Sequence, residues 1–409
     1  MRTLIIGNGM AAGRLVQELV ARGVDDITVV GDEPHHAYNR LLLSGVLGGI
    51  HDPRDLEMRT PGWYRRNGVA VLRGQRATGL DVQRREVRLA DRTLLRYERL
   101  VLATGSHPHL PSLRGIASDR GRMRPGIFAF RTLADCEQIA AAAAPGKRAV
   151  VIGGGLLGLE AARGLSLLGC QVEIVHQAPH LMEKQLDAGG AEMLRRTLDD
   201  LGITTYLDTR ATALRSGPDD RVEAVCLANR YELDCDLVVF ACGIRPATRL
   251  AQEAGIAVRH GIVVDDSFAT SAPQVWAIGE CAEYRGSVSG WAQSAIDHAT
   301  ALAGVLTGAA VGNVEQCPQI TRLRAAGVEL AAMGDTAAVA DANTEVLCLA
   351  NPVARTYRKT VVRDGQLIGA LLVGDVSAAG ELTRAFERGR PLPADRHELL
   401  FSSPEGRVA

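Results

Sequence analysis

The sequence lacks any paired-cysteine motif. Its eight cysteines, Cys136, Cys170, Cys226, Cys235, Cys242, Cys281, Cys317 and Cys348, contain no C-x-x-C pair and no spacing suited to zinc or an iron–sulfur cluster, so they imply no metal site. Most lie in apolar stretches, where a thiol serves as a small buried hydrophobe. An excess of charge of one sign is missing too: 46 Lys and Arg against 47 Asp and Glu leave a formal net charge of −1, with no long block of like charge. That removes the electrostatic footprint of a nucleic-acid or membrane-surface binder. No apolar run reaches the length of a membrane span, because charges or glycines break each one. Thr3-Leu4-Ile5-Ile6 already reads as a buried strand, leaving no room for a basic and apolar leader, so a cytoplasmic protein is expected.

What is present is length and an internal repeat. At 409 residues the chain is too long for one ordinary core, and two or three domains are expected. Thr3–Val30 runs apolar strand, Gly-rich turn, amphipathic helix, apolar strand, and Ala149–Val175 runs the same way. Leu15, Val16, Leu19 and Val20 form one apolar stripe; Leu157, Ala161, Leu165 and Leu168 form the other. Each copy is a βαβ unit, which implies a parallel sheet with helices on its faces. Ala70–Leu72, Glu86–Leu89, Leu100–Ala103, Glu232–Gly243 and Gln274–Ile278 read as strands, Ser106–Pro125 as a crossover linker and Trp291–Thr307 as a helix. From about Glu315 the pattern changes to strands Val346–Leu349, Tyr357–Val362 and Leu367–Val373, an Asp364-Gly365 hairpin turn and a helix Ala379–Arg388. This is a small α+β domain.

Gly7-Asn8-Gly9-Met10-Ala11-Ala12 fits G-x-G-x-x-[GA] between strand and helix. Gly7 allows the tight turn, Gly9 admits a pyrophosphate to the backbone N–H groups, and Ala12 is small enough for the helix to pack on the sheet. The next strand runs out into Asp32-Glu33, and one of these two acids is expected to accept the hydroxyls of an adenosine ribose. Gly153, Gly155 and Gly158 complete the second motif, with Glu160 on the helix that follows. Its second strand ends in His176-Gln177 without an adjoining Arg or Lys, the nearest following one being Lys184. A neutral His176 still bonds ribose hydroxyls, whereas a 2′-phosphate needs a nearby cation, which favours NADH while leaving NADPH open.

At this point the sequence resembles the large family of flavoproteins with two dinucleotide-binding domains, the fold of glutathione reductase and ferredoxin reductase. In that family the first domain, which holds FAD, is closed by a strand ending in Ala-Thr-Gly, matched by Ala103-Thr104-Gly105. It is closed again by one ending in Gly-Asp, matched by Gly279-Glu280, where the acid bonds the FAD ribitol. The resemblance implies that Arg40 lies against the FAD adenine or pyrophosphate and that Glu160 lies near the nicotinamide. Tyr38-Asn39-Arg40-Leu41-Leu42-Leu43-Ser44, Met182-Glu183-Lys184-Gln185-Leu186-Asp187 and Gly279-Glu280-Cys281-Ala282-Glu283 are similar to the flavoprotein part of assimilatory nitrite reductase large subunits. They are also similar to nitrate reductase electron-transfer subunits and rubredoxin reductases. The iron–sulfur and sirohaem modules that follow in nitrite reductase are absent before Ala409, so nitrite reduction by this chain alone is not expected. Disulfide reductases of the fold carry two cysteines on the helix after the second strand, but none occurs here between Arg40 and Ile50.

The expected fold is therefore α/β, with two Rossmann-like dinucleotide-binding domains of glutathione reductase type and the small α+β domain. Residues 1–112 and 245–312 are expected to form the FAD-binding domain, 113–244 the NAD(P)H-binding domain and 313–409 the C-terminal domain. The expected activity is an FAD-dependent NAD(P)H reductase, with no acid–base residue strictly required. It passes electrons to a small iron–sulfur or rubredoxin-type carrier, or to a nitrate or nitrite reductase subunit, in nitrate or nitrite assimilation. A rubredoxin or ferredoxin reductase serving an oxygenase, and a slow-turnover redox sensor, are the alternatives. Cys281 is expected to be a buried bystander. The cluster Arg355, Arg358, Lys359 and Arg363 is expected to be the solvated side of a hairpin, with docking of an acidic carrier as its second reading.

Overall fold

The computed structural model describes residues 1–117, 122–309, 320–325, 327–388 and 392–401, so Cys317 and the expected boundary between 312 and 313 lie outside the described residues. The chain divides into two compact units. The first is Met1–Leu43, His51–Pro108 and Ile244–Cys317; the second is Ser44–Ile50, His109–Gly243 and Pro318–Ala409. Among the described residues no helix is long and apolar enough to cross a membrane.

The first unit is built on a five-stranded parallel sheet in the spatial order Val275–Ala277, Arg99–Leu102, Thr3–Ile6, Ile27–Val30, Ala70–Leu72. Thr3–Ile6 and Leu100–Leu102 are wholly buried, as strands covered on both faces must be. Helix Met10–Ala21 turns Ala11, Ala12, Leu15, Val16 and Leu19 inward, while Val20 is only half-buried. It packs on helix Ala292–Leu306, whose buried Ala295, His298, Ala299, Leu302, Ala303 and Leu306 follow the helical repeat. Ser106–Pro108, read as part of a linker, is instead a short strand that pairs antiparallel with Ile244–Pro246.

The second unit repeats this plan with the order Ile203–Tyr206, Gln171–Val175, Arg148–Ile152, Leu237–Phe240, Ile127–Ala129, again all parallel. The repeat extends well past the two βαβ units visible in the sequence. A three-stranded antiparallel meander follows in each copy, Ala77–Arg96 in the first and Ala211–Asp234 in the second. Each meander returns to a central strand, Arg99–Leu102 or Leu237–Phe240, so Ala241-Cys242-Gly243 is the counterpart of Ala103-Thr104-Gly105. Two expectations change here. Glu232–Gly243 is not one strand: Glu232–Asp234 belongs to the meander and Leu237–Phe240 to the parallel sheet. The buried stripe of helix Leu156–Leu167 is Leu159, Ala161, Ala162 and Leu165, while Leu157 and Leu168 keep partial exposure. Short glycine-rich spacing let two apolar registers compete in the sequence, and close packing on the sheet selects the one with the smaller residues.

The second unit also carries a five-stranded antiparallel sheet in the order Ile320–Ala325, Val328–Gly334, Gln366–Val373, Thr356–Arg363, Thr344–Asn351. Asp364-Gly365 closes its hairpin with both residues at positive φ, 50° and 77°. Helix Ala379–Arg388 covers strands Gln366–Val373 and Val328–Gly334, while Ala188–Asp200 packs on the same two and on Thr356–Arg363.

This arrangement overturns the reading of the basic hairpin at two of its four cations. Arg358 and Lys359 are buried, at 8% and 7% exposure. Arg358 donates to the Leu400 carbonyl at 2.6 Å and to Asp375 at 2.6 Å. Lys359 Nζ donates to Asp187 Oδ2 at 3.1 Å and to the Thr336 carbonyl at 2.8 Å. Arg355 pairs with Asp200 and Arg363 bonds Thr344. Arg358 and Lys359 are thus bonded inside the protein, while Arg355 and Arg363 keep solvent contact, so the cluster is not one solvated face for an acidic carrier. The alternation of the strand could not reveal this, because helix Ala188–Asp200 covers the face of Lys359 and the Arg396–Leu400 segment that of Arg358, and a two-stranded hairpin leaves both open.

Asp187 organises the junction. It caps helix Ala188–Asp200 by accepting the Gly190 N–H at 3.0 Å, and it receives both Lys359 and the Tyr357 hydroxyl, the latter at 2.9 Å. Burial alone would raise its pKa; the Gly190 N–H, Lys359 and Tyr357 outweigh burial and hold it below the ordinary value. Lys359→Met should therefore lose on the order of 3 kcal/mol, seen as a lower urea midpoint at pH 7, because it leaves a half-buried carboxylate without its cation. A carboxyl with a depressed pKa contributes stability above its unfolded pKa and loses it as pH falls, so the deficit should shrink toward pH 3. An unchanged midpoint at pH 7 would show that the pair carries no net stability.

Candidate functional sites

The polar residues singled out in the sequence gather at the carboxyl ends of the parallel strands, where open α/β sheets bind ligands. In the first unit Gly7 leaves strand Thr3–Ile6 at φ 110°, and a Cβ there would stand 2.0 Å from the Ala103 carbonyl oxygen. Glycine is required by the protein itself. Gly9 is different: its φ of −93° suits any residue, and no described atom lies within 4 Å of where its Cβ would be. It caps helix Met10–Ala21 without a side-chain acceptor, and no acid stands in the first turn. The first N–H groups of the helix thus face outward without a side-chain partner. Ala12 is fully buried beneath the turn.

Around this turn stand the other expected residues. Asp32 is exposed and paired with Arg76 at 2.7 Å. Glu33 is half-buried, accepts the Tyr38 hydroxyl at 2.6 Å and pairs with Arg40. The Arg40 guanidinium lies 4.9 Å from the centre of the Tyr38 ring. Burial opposes its charge, but Tyr38, Glu33 and Glu280 together outweigh that and raise its pKa further. Thr104 donates to the Ala247 carbonyl at 2.7 Å, and Ser106 donates to Glu280 Oε2 at 2.7 Å. Gly279, at φ 75°, brings its Cα against Ala11, where an added Cβ would come 3.1 Å from the Ala11 Cβ. Its N–H points at Nδ1 of buried His298, whose pKa burial pushes down to about 4, so that ring stays a neutral acceptor. Cys281 is fully buried and donates to the Leu102 and Ile278 carbonyls. The hydroxyls of Tyr38 and Ser106 were not among the expected site residues. Tyr38 opens the segment that carries the resemblance and Ser106 directly follows Ala103-Thr104-Gly105, but only the folded geometry puts their hydroxyls on Glu33 and Glu280.

The second unit repeats the turn. Gly153 has φ 122° and a Cβ there would lie 2.3 Å from the Ala241 carbonyl oxygen; at Gly158 it would lie 1.9 Å from the Gly153 carbonyl oxygen. Gly155, like Gly9, has an ordinary φ of −83° with no described atom within 4 Å of its would-be Cβ, and it caps its helix without a side-chain acceptor. His176 sits at the end of strand Gln171–Val175 as expected, but both of its ring nitrogens are used inside the protein. Nδ1 accepts the Gly154 N–H at 3.1 Å, so Nε2 carries the proton and donates to Glu183 Oε2 at 3.0 Å. Glu160 keeps some solvent contact, yet the protein around its carboxyl pushes its pKa up to about 7. The thiols are correspondingly quiet: burial pushes Cys136 and Cys235 up to about 12 and Cys242 to about 11, while Cys348 is exposed.

Residues 1–301 match the family model described as pyridine nucleotide-disulphide oxidoreductase, and residues 320–390 match the rubredoxin NAD+ reductase C-terminal domain. The chain is 37% identical to the nitrite reductase (NAD(P)H) of Bacillus subtilis over 93% of its own length and 46% of that protein. It is 31% identical to the assimilatory nitrate reductase electron transfer subunit of the same organism, over 99% of its own length and 52% of that protein. The chain thus spans about half the length of these curated relatives. Among solved structures, the ferredoxin reductase of Rhodopseudomonas palustris superposes with a TM-score of 0.84 at 26% identity, covering 96% of both chains.

The raised Glu160 pKa has a measurable consequence. A carboxyl whose folded pKa exceeds its unfolded value favours the native state below the unfolded pKa, and that advantage is lost as pH rises through the folded pKa. Glu160→Gln should therefore leave thermal stability near the wild-type value at pH 4 and raise it at pH 8. The gain should be on the order of 2 kcal/mol after discounting for solvent contact. Equal melting temperatures of the two proteins at pH 8 would show that the Glu160 carboxylate is well solvated.

Proposed function

This chain belongs to the pyridine nucleotide-disulphide oxidoreductase family, whose members are NAD(P)H-dependent flavoproteins, and we propose that it passes electrons from NAD(P)H through FAD to an iron-containing partner protein in nitrate or nitrite assimilation. The carrying observation is the pair Gly9 and Gly155. Backbone sterics demand glycine at Gly7, Gly153 and Gly158, but nothing in the described protein demands it at Gly9 or Gly155. Each stands at a helix N-terminus without a side-chain cap, the cradle that a dinucleotide pyrophosphate fills. The residues therefore fit both cofactors.

The assignment of side chains follows the geometry of each unit. In the first, the N–H groups above Gly9 hold the FAD pyrophosphate. Of the two candidate acids we favour Glu33 for the ribose hydroxyls, because Tyr38 and Arg40 fix it whereas Asp32 is exposed and paired with Arg76. Arg40, charged under all ordinary conditions, lies beside the same anionic ligand. Glu280, oriented by Ser106, accepts a hydroxyl of the ribitol, and Ala103-Thr104-Gly105 forms the wall beside Gly7. In the second, the turn Gly153–Gly158 holds the NAD(P)H pyrophosphate and Glu160 lies on the nicotinamide side. When bound, the two cofactors supply hydride transfer from nicotinamide to flavin and single-electron release from flavin, which suits an iron acceptor. The chain provides no internal disulfide to receive electrons, since no cysteine stands between Arg40 and Ile50. The named relatives in nitrite and nitrate reduction favour that setting for the acceptor.

Gly9→Asp should fold yet purify without flavin colour, while Gly155→Asp stays yellow and loses NADH reduction of the flavin. Both side chains have room in the protein, so only the ligand is repelled. A colourless Gly155→Asp with a yellow Gly9→Asp would reverse the assignment. Native alkylation should label Cys348 first, because it is exposed while burial keeps Cys136, Cys235 and Cys242 protonated. NADH:ferricyanide activity should survive that labelling largely intact; loss of most activity would reveal a working thiol.

A further inference from the structure

The segment after strand Gln171–Val175 folds back on the second glycine turn. The Met182 N–H donates to the Gly154 carbonyl at 3.0 Å, while the Gly154 N–H donates to His176 Nδ1 at 3.1 Å. Both backbone groups of Gly154 are thereby tied to residues on either end of one short loop. A Cβ on Gly154 would meet the His176 ring and the Leu181 side chain, each at 2.7 Å. Leu181 and Met182 are fully buried, and Met182 holds φ 54°, a conformation that a non-glycine residue adopts only when its surroundings enforce it. The loop is thus held in one position against the turn. After this buried pair the chain returns to the surface at Glu183, whose side chain is 38% exposed and whose carboxylate accepts from His176 Nε2 at 3.0 Å.

The end of this strand is where a dinucleotide-binding domain presents an acid to the adenosine ribose. Here the residue at the strand end is an imidazole turned under the loop, with neither nitrogen left for a ligand, and the carboxylate it holds belongs to Glu183. We propose that Glu183, oriented by His176, is the residue that accepts the adenosine ribose hydroxyls and excludes a 2′-phosphate, so that this unit selects NADH over NADPH. His176 is a positioning residue: it carries no charge of its own into the site and fixes which way the Glu183 carboxylate faces. Lys184, exposed and next in the chain, carries the opposite charge. A carboxylate repels a dianionic phosphate at hydrogen-bond range, whereas it only accepts from hydroxyls. The inference rests on the reading of this turn as the NAD(P)H site.

Direct binding separates the two readings, with adenosine 5′-monophosphate and adenosine 2′,5′-bisphosphate as probes measured by calorimetry on the flavin-loaded enzyme. Wild type should bind the monophosphate more tightly, by about tenfold or more at low salt, as expected for a carboxylate facing a phosphate at a partly exposed site. Glu183→Gln should narrow that ratio severalfold and Glu183→Arg should invert it, with NADH and NADPH kcat/KM following in the same direction. His176→Ala should also narrow the ratio, and should add nothing in the Glu183→Gln background; a merely structural role would weaken both probes and leave their ratio alone. If Gly155→Asp abolishes binding while the Glu183 variants keep the wild-type ratio, Glu183 is not the selecting residue although the site stands. If Gly155→Asp binds both probes as wild type does, the site assignment falls and the inference with it. A wild type that prefers the bisphosphate, with the preference lost in Lys184→Gln, overturns the proposal in favour of phosphate capture.

Discussion

Each half of the repeat depends on one close approach between a glycine Cα and the carbonyl of a neighbouring strand. Gly7 meets the Ala103 carbonyl and Gly153 meets the Ala241 carbonyl, at separations that leave no space for a Cβ. That contact lets the chain turn sharply out of a central strand and start a helix directly above the carboxyl edge of the sheet. The helix N-terminus, with its unbonded N–H groups, then lies where the loops of all the parallel strands converge. A side chain at Gly7 would push turn and helix away from the sheet and from Glu33 and Glu280, and one at Gly153 would do the same to the second turn and its helix.

Three carboxylates at these edges share a second property, which is that each is held by a bond within its own unit. Tyr38 and Arg40 fix Glu33, Ser106 fixes Glu280, and His176 fixes Glu183. A carboxylate held in advance loses less freedom when a hydroxyl arrives, and it keeps its direction when none is there. The bonds also separate partly exposed acids, proposed above to meet a ligand, from acids that only fasten loops. Buried Glu283 belongs to the second kind: its oxygens take the His260 and Gly261 N–H groups and Arg259.

How much of this was legible depended on the range of the interaction. The glycine turns, the strands flanking them and the Asp364-Gly365 hairpin are written locally, in spacing and backbone preference, and they stand where the sequence puts them. The fold class follows from the repeated βαβ pattern, and the family match agrees with it. The full extent of the repeat was hidden because the meanders Ala77–Arg96 and Ala211–Asp234 share no motif, only a pairing pattern that needs three dimensions. Charge was the least legible feature. Arg358 and Lys359 look solvated in a lone hairpin, and only packing against helix Ala188–Asp200 and the Leu399–Leu400 segment makes them internal. At His176 the strand-end position is read correctly, but the direction of the ring depends on the loop that carries Met182 at positive φ, which no periodicity signals.

The position of strand Val275–Ala277 has a bearing on how the protein is made. It pairs with Arg99–Leu102 and is the last piece of the first parallel sheet, although its partners lie among the first 102 residues. On the ribosome the apolar edge Leu100-Val101-Leu102 must wait unpaired while the whole segment between them is translated, roughly 10–30 s at ordinary elongation rates. All five strands of the other parallel sheet lie between Ile127 and Phe240, so that sheet has its full complement of strands first. The interior sheet therefore has all its strands while the amino-terminal one still exposes a β edge. That interval is when the unfinished edge is most open to pairing with the wrong strand.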